Sequence, residues 1–151
     1  YNYDKFQEQS FYNQLNIPFY NRYSLFSYKR DYQKELQLFE DLKLNKQKYI
    51  FIHDYEMYGF NKKFIEDKLN RCFELPVLNL SYVYDHYSSD TKKYSFFNIG
   101  SLIENAKEFY CLESSTKAYI EYLDTKNVEL FFYEGRSNNF TSETKRYTHF
   151  L

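Results

Sequence analysis

Apolar residues change their spacing near position 46. Before it the pattern is helical. Phe6, Phe11 and Leu15 are candidate inward positions of a helix from Asp4 to Asn16, which Pro18 ends. Phe19 to Lys29 is aromatic and irregular. Asp31 can cap a second helix reaching about Leu44, with Leu36, Phe39 and Leu42 inward and a charged opposite face. After the polar loop Asn45 to Lys48, short continuous apolar runs begin. Tyr49-Ile50-Phe51-Ile52, Pro76-Val77-Leu78-Asn79-Leu80, Phe109-Tyr110-Cys111-Leu112 and Val128 to Tyr133 read as strands buried on both faces.

Helices are expected between these runs. Asn61 to Asn70 places Phe64, Ile65 and Leu69 inward. Asn98 can cap Ile99 to Lys107, with Leu102, Ile103 and Ala106 on one face. Ser114 or Ser115 caps a helix to Leu123 that buries Ala118, Tyr119 and Tyr122. Asp85 to Ser95 reads as a polar loop, and the tail from Glu134 is polar until Phe150-Leu151.

This alternation predicts an α/β fold: a Rossmann-like three-layer domain with a parallel sheet of about four strands, preceded by two N-terminal helices. Residues 1–45 form the helical segment, which packs on one face or bridges to another domain; residues 46–151 form the sheet domain. Ligands bind beyond the carboxyl ends of such strands. Four places are thereby selected: His53 to Glu56, Ser81 to His86, Glu113 to Thr116, and Glu134-Gly135-Arg136.

Composition narrows the function. Lys and Arg number 20 against 21 Asp and Glu, a balance that argues against a nucleic-acid-coating or membrane-coating protein. The 19 Tyr and 16 Phe, together with abundant Lys, Asn and Ile, match an AT-rich coding sequence and are discounted as a functional signal. Cys72 and Cys111 fit neither a disulfide framework nor a metal knuckle. No membrane span or signal peptide is visible, so a cytoplasmic location is expected. Met57 is the only methionine, and the chain is expected to be trimmed or part of a longer protein.

The candidate chemistry sits on the predicted rim. Leu112-Glu113-Ser114-Ser115-Thr116 leads from a strand into a helix start, where backbone N–H groups and hydroxyls can bind phosphate. The plainer reading is that Ser114 or Ser115 is a helix cap. His53 could position a phosphate or move a proton, and Asp54 could act as a base; both could equally be structural hydrogen-bonders. Arg136 suits phosphate recognition or a solvated surface. Asp85, His86 and His149 could join His53 and Asp54 around a metal, but no HExxH spacing supports one, and neither a metal nor a cofactor is expected. A P-loop and a GxGxxG are absent, so ATPase and dinucleotide readings lose support.

The phrases FYNQLNIPFYNRYSLF, YIFIHDYE, IGSLIENAKEFYCLESSTKAYIEYLD and VELFFYEGR, between Phe11 and Arg136, resemble the C-terminal part of glycosyltransferases related to the fucosyltransferase superfamily. The resemblance implies a GT-B architecture of two Rossmann-like domains, with this chain as the donor-binding one. It implies a nucleotide sugar (a GDP-sugar first), a glycan acceptor and metal-independent transfer. His53 matches the His of the family's His-x-Arg-x-x-Asp type motif, whereas the Arg is missing and Arg136 is the candidate replacement. Ser114, Ser115 and Thr116 stand where the family contacts the nucleotide phosphates, with Thr116 in place of the usual aromatic residue. On this reading His53 and Asp54 are the catalytic candidates. A preceding domain or a homo-oligomer would complete the cleft. Two rivals remain open: a non-catalytic binding or assembly module, and a metal-dependent nuclease or phosphatase using His53, Asp54, Asp85 and His86.

Overall fold

The computed structural model describes residues 12–18, 21, 28–44, 47–87, 93–112, 114–133 and 149–150. Five strands form one parallel sheet: β1 (Ile50–Ile52), β2 (Val77–Asn79), β3 (Glu108–Leu112), β4 (Glu129–Tyr133) and β5 (His149–Phe150). Their spatial order is β2-β1-β3-β4-β5, and every pairing is parallel. Among the described residues α1 (Tyr32–Asp41) precedes the sheet, and α2 (Lys62–Leu69), α3 (Leu80–Tyr87), α4 (Gly100–Glu104) and α5 (Ser115–Ile120) lie between successive strands. The α/β architecture and the four central strands are those expected from the alternation. A fifth strand extends the sheet: His149-Phe150, where the tail read as polar comes to its end, pairs with Phe131-Phe132.

Side chains alternate between two cores. Phe51, Leu78, Phe109, Cys111, Leu130 and Phe132 face one side, where Leu38 of α1, Val83 of α3, Leu102 and Ile103 of α4, and Ile120 of α5 cover them. Ile50, Ile52, Tyr110, Leu112 and Phe131 face the other, against Phe64, Ile65 and Leu69 of α2. The reason is geometric. The chain crosses the sheet one way from β1 to β2 and the opposite way from β2 through β3 to β4. Right-handed crossovers therefore put α2 on one face and α3, α4 and α5 on the other. Burial of a Phe or Ile in such a layer contributes about 1.5–3 kcal/mol.

Local signals set several helix limits. Asp31 accepts the Lys34 N–H at 3.1 Å and starts α1. Asn61 accepts the Phe64 N–H at 3.0 Å and starts α2, which Asn70 closes in the left-handed region. The inward face of α1 differs from expectation. Glu35 and Leu38 are buried, Phe39 and Leu42 pack at the margin, and Leu36 is 60 % exposed. Hydropathy alone favoured Leu36 over the charged Glu35. Residues 12–14 form a helical turn ended by Asn16 at φ 52, and Leu15 is exposed rather than inward; Phe6 and Phe11 lie outside the described residues.

Two further corrections concern the second half. Residues 80–87 are helical, so Asp85 and His86 sit on α3 and not in a polar loop. Before α4, Ser95 and Asn98 form a reciprocal capping box around a 3-10 turn over Phe96–Ile99; Asn98 is thus the partner of the cap rather than the cap itself. Leu102, Ile103 and Ala106 are buried as expected.

Glu35 is buried because Arg30 and Ser101 satisfy it. Arg30 Nε and Nη2 donate to its carboxylate at 2.9 and 2.5 Å, and the Ser101 N–H and hydroxyl donate at 2.8 and 2.7 Å. Arg30 also reaches Glu104, which in turn accepts the Asp124 N–H. This network ties α1 to α4. Gly100 makes room for it, since a Cβ there would stand 2.7 Å from Tyr119 Oη and 2.8 Å from Arg30 Nη2. Glu35→Ala should destabilise the fold by about 3–5 kcal/mol, because Arg30 loses a partner inside the protein. Leu36→Ala should change stability by about 0.5 kcal/mol or less. Urea denaturation of the two variants measures the contrast.

Candidate functional site

The order β2-β1-β3 creates a switch point. The connection leaving β1 runs to β2, the one leaving β3 runs to β4, and the two diverge on opposite faces. The position beyond the carboxyl ends of β1 and β3 is where ligands usually bind in doubly wound sheets of this order. His53 follows β1, and Ser114 lies just beyond β3. Register brings them together: Ile52 pairs with Tyr110, and the His53 N–H donates to Tyr110 O at 2.8 Å. The imidazole Nδ1 then lies 3.2 Å from Ser114 Oγ.

Ser114 also caps α5, its Oγ accepting the Thr116 N–H at 3.2 Å. Ser114 is therefore at once the cap of α5 and the partner of His53. The pair has two polar hydrogens, one on the hydroxyl and one on the neutral ring. Their mutual hydrogen bond uses one of them. If Ser114 donates to Nδ1, the Nε2–H remains for a ligand; if Nδ1–H donates to Ser114, the hydroxyl hydrogen remains. Either tautomer presents one donor. Burial holds the His53 pKa down at about 4, with the nearby Asp54 charge opposing that shift. The ring is neutral at pH 7, which suits hydrogen bonding and makes it a weak proton acceptor for activating Ser114.

Asp54 has a different setting. It is buried, and its two carboxylate oxygens accept from Ser81: the N–H at 2.8 Å on Oδ1, and the hydroxyl on Oδ2. Asp54 thereby joins the β1 end to the first turn of α3. Thr116 is fully buried on α5, and its Oγ1 makes no hydrogen bond. The Ser115 side chain and Arg136 lie outside the described residues, as do the side chains of His86 and His149. Helix α5 spans six residues, so its dipole supplies less field than a full-length helix start would.

Three residues were missed from sequence. Ser81 is the partner of Asp54; it was inside a selected rim stretch, but its role depends on α3 starting at once after β2. Asn79, the last residue of β2, pairs in register with Ile52 and has a buried Oδ1 without a hydrogen-bond partner. A polar residue ending an apolar run was the available signal. Lys117 is 5 % exposed, and its ammonium stands 3.9 Å over the Phe132 ring, next to the end of β4. Cys72 is exposed and Cys111 is buried within β3. Among the described residues no group of three His, Cys, Asp or Glu side chains could hold a metal ion, and no helix is long and apolar enough to cross a membrane. The chain matches no family model, no curated protein and no solved structure.

Linkage gives the His53 prediction its sign. The unfolded chain protonates first, near pH 6.5, while the folded ring resists until about pH 4. Stability present above pH 6.5 is therefore lost as pH falls, by up to about 3 kcal/mol from this group. His53→Gln should flatten that part of the slope, as measured by urea denaturation between pH 7 and pH 4. Asp54→Ala should destabilise by about 1–3 kcal/mol by removing the two hydrogen bonds that tie the β1 end to α3, and circular dichroism on heating would show it.

Proposed function

We propose that this chain is a nucleotide-sugar-binding domain of a glycosyltransferase, with the donor diphosphate lying beyond the carboxyl ends of β1 and β3. One observation carries the reading: His53 and Ser114, from two different strand ends, meet at 3.2 Å at the sheet's switch point. The sequence resemblance independently selected those two positions. Glycosyl transfer places negative charge on the departing diphosphate, and fixed donors there stabilise the transition state. The His53–Ser114 pair offers such a donor in either tautomer. Thr116 Oγ1 adds a buried hydroxyl on the same turn. Lys117 brings positive charge to the neighbouring strand end. Arg136, four residues beyond Phe132 in the chain, is the second candidate cation.

Roles divide on this geometry. His53 and Ser114 orient the phosphate. Asp54, bound to Ser81, is a positioning residue that fixes the turn after β1. In this scheme the acceptor proton would pass to solvent or to a group from another domain or subunit, since Asp54 is buried and turned to Ser81. The natural donor is a GDP-sugar by the resemblance, and the acceptor is a glycan hydroxyl.

A thermal-shift panel of GDP, UDP, CDP and ADP with their sugar conjugates tests the reading. A ligand at 100 times its dissociation constant should stabilise the fold by about 2.7 kcal/mol. Ser114→Ala should lower the ligand-free stability by about 1 kcal/mol through loss of the cap. It should also abolish most of the ligand-induced increment, which is the diagnostic quantity. Absence of a shift with every nucleotide would overturn the donor-site reading.

A further inference from the structure

The segment after His53-Asp54 is a tied loop that displays two aromatic rings. Tyr55 and Phe60 form an antiparallel bridge, with N–H to O distances of 2.7 and 3.3 Å in the two directions. A 3-10 turn over Glu56–Tyr58 fills the loop, and Gly59 closes it at φ 64, where a side chain would be strained. Phe60 anchors the loop: it is fully buried and stacks on Tyr133 at 5.5 Å with 9° between the ring planes. Tyr55 and Tyr58 stack on each other at 5.0 Å and 23°. They are 39 % and 45 % exposed, and Met57 between them is 79 % exposed. The backbone is thus held on both sides of a surface-facing aromatic pair, directly beyond the β1 end.

The charge of the loop narrows what it can receive. Between Asp54 and Phe60 the charged side chains are Asp54 and Glu56, and no Lys or Arg occurs there. Asp54 is buried and bound to Ser81, which leaves the exposed Glu56 carboxylate beside the rings; it disfavours phosphate there and accepts hydrogen bonds from neutral hydroxyls. A pyranose combines the two matching features. Its C–H face carries slight positive charge and fits the negative face of an aromatic ring. Its hydroxyls reach the phenol and carboxylate groups at the ring edges.

We propose that Tyr55 and Tyr58, with Glu56, form a subsite for a neutral hexose ring of the acceptor glycan beside the donor site. The acceptor role rests on the glycosyltransferase reading; the binding of a neutral sugar ring can be tested apart from it. The probes are methyl glycosides of glucose, galactose, fucose and N-acetylglucosamine, followed by saturation-transfer NMR on the full chain. At least one glycoside should bind through its C–H face. Tyr55→Ala combined with Tyr58→Ala should weaken it about tenfold, as expected for loss of two stacking contacts. Tyr55→Phe combined with Tyr58→Phe keeps the rings and should retain most of the signal, which separates stacking from unfolding. Nucleotide-induced thermal shifts should be unchanged in both double variants.

Three results would overturn the subsite: no glycoside binding to the wild-type chain, equal binding by the double Ala variant, or nucleobase binding that depends on these rings. Ring-dependent glycoside binding without any nucleotide shift would support the subsite and remove the donor reading. Nucleotide shifts without glycoside binding would do the reverse.

Discussion

A single short strand organises this protein. β1 has three residues, Ile50–Ile52, and is paired on both sides, with β2 along one edge and β3 along the other. All three residues are buried, so both faces of the strand are also covered. Both neighbours of β1 come later in the chain, so the chain leaves it in one direction and then returns past it to reach the other edge. The opposite placement of α2 relative to α3, α4 and α5 follows from that requirement. So does the switch point between β1 and β3, where the connections leaving the two strands run in opposite directions.

The same burial that makes β1 stable shapes the chemistry at its end. His53 stands one residue past a fully buried strand, and desolvation keeps its ring neutral. Asp54 follows at once and would be an expensive buried charge without Ser81, whose N–H and hydroxyl both donate to it. The loop that comes next ends on Phe60, which belongs to the core under α2. Strand, hydrogen-bonding pair and aromatic loop thus form one continuous unit from Ile50 to Phe60, tied to α3 through Ser81. Far from it, Arg30 and Glu35 fasten α1 to α4, and the space for this pair depends on the missing side chain of Gly100.

Most of the sheet was legible in the sequence because buried parallel strands are continuous apolar runs. Tyr49 to Ile52 and Phe109 to Leu112 are marked by nothing else, and both lie where the runs placed them. The Asp31 cap was equally legible, as was a serine cap at Ser114 or Ser115, since each cap is a contact over two or three residues; the structure uses Ser114. α3 was not, because its start is held by Asp54, 27 residues away. Leu36 and Glu35 were exchanged for a related reason: the partners that make Glu35 a core residue are Arg30 and Ser101, and the second is 66 residues distant.

The amino-acid sequence by itself determined the alternation of strands and helices, the parallel sheet that alternation requires, and the polar residues at each strand's carboxyl end. These depend on hydrophobic period and on caps, which are local properties. The tertiary structure decided which strand ends are neighbours. The order β2-β1-β3-β4-β5 brings His53 to Ser114 across 61 residues of chain, commits Asp54 to Ser81, and adds β5 at the far edge. Those outcomes depend on which strands pair and on which charges find partners when water is removed, and both are settled only when the layers close.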